Sequence, residues 1–125
     1  CAFLEPGRVL LQTVNDRTDP NYEGSRENVR RLEAAGIEVV EWELLPRITR
    51  EDGEPVVVPY MNFYVANGAL IVPVSGTDAD MVRDAELRLE GLYPGRVARG
   101  ADAGGLARGG GGGAGIALQV PVAGA

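Results

Sequence analysis

The chain of 125 residues contains no histidine, and a single cysteine, Cys1. All twelve of its basic residues are arginine, so it has no lysine either. Each absence removes a class of chemistry. Without histidine there is no imidazole to move protons near neutral pH or to bind a metal. Without lysine there is neither a P-loop, whose motif requires one, nor a Schiff base. One cysteine excludes an internal disulfide. No stretch approaches the roughly 20 consecutive apolar residues that a membrane-spanning helix needs. Nothing resembles a signal peptide, because Pro6, Gly7 and charges interrupt the apolar residues between Cys1 and Leu11. The net charge is −6 and the isoelectric point about 4.6, which argues against a nucleic-acid partner, since that would demand a basic face.

What is present describes a globular chain. Hydrophobic residues make up 45% and charged residues 24%, a balance that supports a packed core in one domain. The chain opens on Cys1 and both methionines are internal, so a fragment or a processed chain is expected. Glycine is abundant, at 18 residues, and most of the excess lies between residues 95 and 124.

Along the chain the pattern alternates between strand and helix. RVLLQTV (8–14), after the turn signal Pro6-Gly7, reads as a buried strand. Asp19 is placed to cap a helix with Pro20 at its first position, running to about Ala35 with Tyr22, Val29 and Leu32 on one face and Gly36 as its stop. IEVVEWELLP (37–46) alternates apolar residues with glutamates, as a half-exposed strand does, and REDGEPV (50–56) reads as a turn. MNFYVANGALIVPV (61–74) holds two strand-like runs around Asn67-Gly68, a strong hairpin signal. Thr77 with Asp80 suggests a helix cap, and Val82, Ala85, Leu89 and Leu92 form an amphipathic stripe closed by Pro94-Gly95. RVARG, the glycine-rich tract 104–115 and a last strand IALQVPV complete the order. The two cycles recur at about 60 residues, a weak internal repeat, and the class is α/β.

The candidate chemistry is sparse. GGGGAG (110–115) fits a dinucleotide fingerprint only trivially, because a strand-like segment rather than a helix follows it. A flexible tract, or a close backbone approach to a ligand, stay open as readings of the glycines. Cys1 reads as a small buried hydrophobe rather than a nucleophile, since no imidazole exists to activate it. The carboxylates Glu41, Glu43, Glu51, Asp52 and Glu54 read as solvated surface rather than a cation site. Asn62, Tyr64 and Asn67 are the notable polar residues, being set in an apolar hairpin; turn chemistry for Asn67 and a satisfied core amide for Asn62 compete with a binding role.

Taken together, FLEPGRVLLQTVNDRTDPNYEGSRENVRRLEAA, then PYMNFYVANGALIVPV, LYPGRV, the glycine run and QVP resemble the C-terminal part of the agmatine deiminase family, which includes the bacterial-type peptidylarginine deiminases. The resemblance covers residues 1 to about 121 in order. It implies a partial pentein propeller, about two of five ββαβ modules, with 1–125 the C-terminal part of one propeller domain and 104–115 an active-site-type loop. It also implies hydrolysis of a guanidinium by a cysteine thiolate, helped by a histidine and by carboxylates that clamp the cation. Agmatine yields N-carbamoylputrescine and ammonia, a step of polyamine biosynthesis. The family needs no metal and no organic cofactor. A small guanidino substrate, no nucleic acid, no membrane, a cytoplasmic location and room for a homo-oligomer are the corresponding expectations.

The resemblance also locates what is missing. Aligning QVP on Gln119, Val120 and Pro121 puts Gly115 at the nucleophile position and Ala114 at the preceding histidine. Ala117 and Leu118 then replace a Thr and a Gln, while Gly109, Gly110 and Gly111 keep the glycine turn. These three glycines and Asn62 are the substrate-binding candidates. The family's upstream His-x-Asp element has no counterpart in this chain. The expectation is an inactive member of the family, with a non-catalytic guanidino-ligand or partner-binding protein, or a truncated fragment without function, as alternatives.

Overall fold

The structure, a computed structural model, describes residues 1–43, 48–49, 55–56, 60–74, 79–103, 115, 117–118 and 120. The chain divides into two compact units, Cys1–Val56 and Val57–Ala125.

In the first unit β1 (Ala2–Glu5) and β2 (Arg8–Thr13) form an antiparallel hairpin. Gly7 turns it with φ +81°, a conformation that side chains resist. Helix α1 (Tyr22–Ala34) then returns the chain to β3 (Glu38–Glu43), which pairs parallel to β2 from Arg8↔Glu38 to Thr13↔Glu43. The sheet order is β1-β2-β3. Central β2 carries the core: Val9, Leu10, Leu11 and Thr13 are all buried, and Val29 from α1 and Trp42 from β3 are buried too. A small antiparallel pair, β4 (Ile48–Thr49) with β5 (Pro55–Val56), completes the unit.

Several sequence expectations are corrected here. Strand β1 was not foreseen, because AFLE is short and its Phe3 is 66% exposed. Pro55 and Val56 belong to a strand rather than to a turn. The helix begins after Asn21, which makes no side-chain cap, rather than after Asp19. Asp19 instead builds the preceding turn: its carboxylate accepts from the Asn21 backbone N–H at 2.8 Å and from Asn21 Nδ2 at 3.0 Å, and its carbonyl accepts from Tyr22 N–H. An aspartate whose side chain is bonded two residues ahead forms an Asx turn, which competes with its use as a cap. The stop at Gly36 is as expected. Ile37 N–H reaches the Leu32 carbonyl and Gly36 N–H the Glu33 carbonyl, a Schellman closure made with Gly36 at φ +76°.

The second unit repeats the order. A 3₁₀ turn (Tyr60–Asn62) leads to β6 (Tyr64–Ala66), which pairs antiparallel with β7 (Ala69–Val74). Helix α2 (Ala79–Leu92) follows, and β8 (Val97–Asp102) pairs parallel to β7, giving the order β6-β7-β8. Asn67-Gly68 makes the hairpin turn as its sequence suggests. Only Gly68 has a positive φ, at +75°, so the turn is not the type I′ that needs two. Of the α2 stripe, Ala85 and Leu89 are buried, facing a core that includes Leu70, Val72, Tyr93 and Ala98. Phe63 meets Tyr93 edge-on at 5.6 Å between centroids, and the Arg96 guanidinium lies 5.9 Å from the Tyr93 ring centre. Gly100 lets helix and sheet approach closely, since a Cβ there would stand 3.2 Å from Val82 Cγ1 and 3.3 Å from Val74 Cγ1.

Thr77 lies outside the described residues, so its capping role is not observed. The expected last strand is not found where the chain is described: Ala117, Leu118 and Val120 have no strand conformation. Leu118 and Val120 are 86% and 85% exposed.

Candidate functional site

The sequence candidates do not converge on one described constellation. Gly109, Gly110, Gly111 and Ala114 lie outside the described residues, as do Glu51, Asp52 and Glu54. Gly115 is described and exposed, and no described residue lies within 4 Å of where a Cβ would stand. Asn62 closes the 3₁₀ turn ahead of β6 and is half-buried, in a turn rather than in the strand its surroundings suggested. Tyr64 is half-buried on β6 and Asn67 is exposed in the hairpin turn. Cys1 is exposed, not buried as its composition class suggested. Among the described residues no group of three or more Cys, Asp or Glu side chains is arranged to hold a metal ion, and no helix is long and apolar enough to cross a membrane.

The most structured polar group is one the sequence reading treated as surface. Arg26 of α1 forks onto Glu41 of β3, with Nη2 to Oε2 at 2.6 Å and Nη1 to Oε1 at 3.2 Å. The pair is part-buried, and it ties the helix to the parallel strand next to β2. A bidentate pair of this kind combines charge with fixed geometry. The guanidinium holds the Glu41 carboxyl below its ordinary value of 4.5, and the carboxylate in turn raises Arg26. The buried Thr13 hydroxyl reaches hydrogen-bonding geometry with no partner among the described residues, so its influence on Glu41 is secondary. Ser25, also buried, accepts the Val14 N–H at 3.0 Å and so completes the end of β2. Arg26 Nε is also buried without a hydrogen-bond partner among the described residues. Both carboxylate oxygens are occupied by arginine and the group stays ionised at neutral pH, so it serves structure rather than proton transfer. The helical spacing of Tyr22, Arg26 and Val29 is the signal that could have placed Arg26 on the inner face.

The pair has a pH signature. A carboxylate lowered in the folded state stabilises it fully above the unfolded value and loses that contribution as pH falls through the lower folded value. Wild type will therefore exceed Glu41→Gln in thermal midpoint by a constant margin from pH 7 to about 5.5, and the margin will shrink below about 4.5. Thermal melts of both proteins across that range test this, and a margin independent of pH down to 3 would refute it.

The two units share one topology: a hairpin, a helix, and a strand returning parallel to the second strand of the hairpin. The model of the Porphyromonas-type peptidyl-arginine deiminase family matches residues 1–121. The chain belongs to that family. The agmatine deiminase of Medicago truncatula is 33% identical over 61% of this chain and 26% of its own length. A Listeria monocytogenes protein provisionally named an agmatine deiminase is 32% identical over 95% of this chain and 39% of its own. The solved agmatine deiminase of Enterococcus faecalis superposes with a TM-score of 0.70 at 25% identity, covering 91% of this chain and 37% of that one. The solved C. jejuni agmatine deiminase gives the same TM-score at 23% identity, covering 90% of this chain and 33% of that one, a likeness of fold. The chain thus spans between about a quarter and two fifths of the length of the curated relatives it matches.

Proposed function

We propose that this chain corresponds to two ββαβ modules of the five in an agmatine deiminase-type propeller, and that as given it does not hydrolyse guanidinium groups. The repeated topology of the two units supports the first part. One observation carries the second: the sequence holds no histidine at any position, and the resemblance to the family's motif puts Gly115 at the nucleophile position. The family reaction needs a thiolate to attack the guanidinium carbon and a base to take and return protons as ammonia leaves. Glycine offers no nucleophile. Cys1, the only thiol, is exposed and has no imidazole anywhere in the chain to draw its proton. Losing nucleophile and base together removes the covalent route and leaves binding contacts alone. No metal or organic cofactor is part of this reading.

The Gly115→Cys variant tests it. The variant will form no ureido product from agmatine, because no imidazole accompanies the new nucleophile. Colorimetric detection of the ureido group after prolonged incubation is the measurement. Product from Gly115→Cys would show that position 115 is the sole deficit and would sink the two-part explanation.

A further inference from the structure

Strand β8 is at the edge of its sheet among the described residues. Its residues alternate in direction: Val97 and Ala103 donate their N–H groups toward the β7 side, to the carbonyls of Gly68 and Val74. The intervening Ala98 and Gly100 N–H groups therefore point outward, where an added strand would bond. They are already occupied. Ala98 N–H donates to Glu90 Oε1 at 2.9 Å, and Gly100 N–H donates to Glu86 Oε1 at 2.7 Å. The outward Ala98 carbonyl accepts from the Arg99 guanidinium at 2.7 Å. Both glutamates come from α2, four residues apart and hence on one face of the helix. Their spacing of about 6 Å matches the two-residue repeat of outward groups along a strand. Their side chains are mostly buried, at 13% and 28% exposed, and each is held by an arginine: Glu86 by Arg83 at 3.2 Å, Glu90 by Arg99 at 3.8 Å. Gly100 contributes by letting α2 lie close enough for the carboxylates to reach.

We propose that Glu86 and Glu90 close the edge of β8 against strand addition, above all against pairing with β8 of a second copy of this chain. The carboxylates take the Ala98 and Gly100 donors that a foreign strand would need. This goes beyond the reading of the chain as a non-hydrolysing family member and does not depend on it.

The experiment compares the full wild-type chain with Glu86→Ala/Glu90→Ala and Glu86→Gln/Glu90→Gln, by residue-resolved amide exchange and by sedimentation over a range of concentrations. In wild type the Ala98 and Gly100 amides will be protected although no described strand covers them. In the alanine pair that protection will fall about tenfold or more at low concentration, and self-association will strengthen with concentration. The glutamine pair keeps an acceptor oxygen at each site and will behave as wild type. Wild-type amides at 98 and 100 exchanging as fast as those of exposed loops overturn the proposal. So does a folded alanine variant that associates no more than wild type, and so does a glutamine variant that associates as readily as the alanine one. If the alanine pair does not fold, the wild-type exchange rates and the glutamine pair decide.

Discussion

Leu89→Ala will destabilise the second unit by about 3 kcal/mol, whereas Leu87→Ala, two residues away on the same helix, will cost under about 0.5 kcal/mol. Leu89 is fully buried and Leu87 is 51% exposed, so the two substitutions remove the same atoms from opposite environments. At Leu89 the loss combines the transfer free energy of the removed methyl groups with a cavity in a core that also holds the buried Leu70, Val72 and Tyr93 and is too close-packed to collapse fully. A small domain has on the order of 5 kcal/mol in total, so the loss at Leu89 should move the denaturation midpoint far more than any surface change. Urea unfolding of the two variants, followed by Tyr93 and far-ultraviolet signals, checks it. Equal midpoints would mean that α2 does not pack on its sheet through the stripe observed.

Trp42→Ala is the counterpart in the first unit, with an expected cost of about 3–4 kcal/mol. Trp42 is the only tryptophan, and it is 4% exposed on β3, which has a neighbour in the sheet on one side only among the described residues. An indole buried on such a strand supplies much of what holds the strand in place, since aromatic side chains bury the largest areas of any residue. The β2–β3 register, Gln12 opposite Trp42, should loosen along its length when it is lost. Wild-type tryptophan fluorescence will be blue-shifted and will move red on unfolding. Trp42→Phe, which keeps most of the apolar surface, should recover more than half of the loss seen in Trp42→Ala. A solvent-exposed emission maximum in the native wild type would contradict the burial on which this rests.

How much of this was legible in the chain depends on what each feature needs. The α2 stripe, the Gly36 stop and the Asn67-Gly68 hairpin were readable because each rests on local geometry: helical periodicity, a positive φ, a two-residue turn. Strand β1 was not, since four residues with an exposed Phe3 carry no periodicity, and its pairing with β2 is what makes it a strand. The start of α1 was misplaced by two residues because Asp19 satisfied the pattern of a cap while bonding locally to Asn21. The Arg26–Glu41 fork and the Glu86 and Glu90 contacts with β8 join residues that only the fold brings together. Glu41 accordingly looked like surface in an alternating strand. At the candidate site, Gly115 and Ala114 gain meaning only beside the family's motif. A glycine tract by itself fits a linker as well as an active-site loop.

The central claim is that the chain as given has lost guanidinium hydrolysis. The most direct measurement incubates the unmodified protein with agmatine near neutral pH and quantifies both ammonia and the ureido product against a protein-free blank. The account predicts values equal to the blank at every protein concentration. Ureido product that rises in proportion to protein concentration, with one ammonia per product formed, would contradict it.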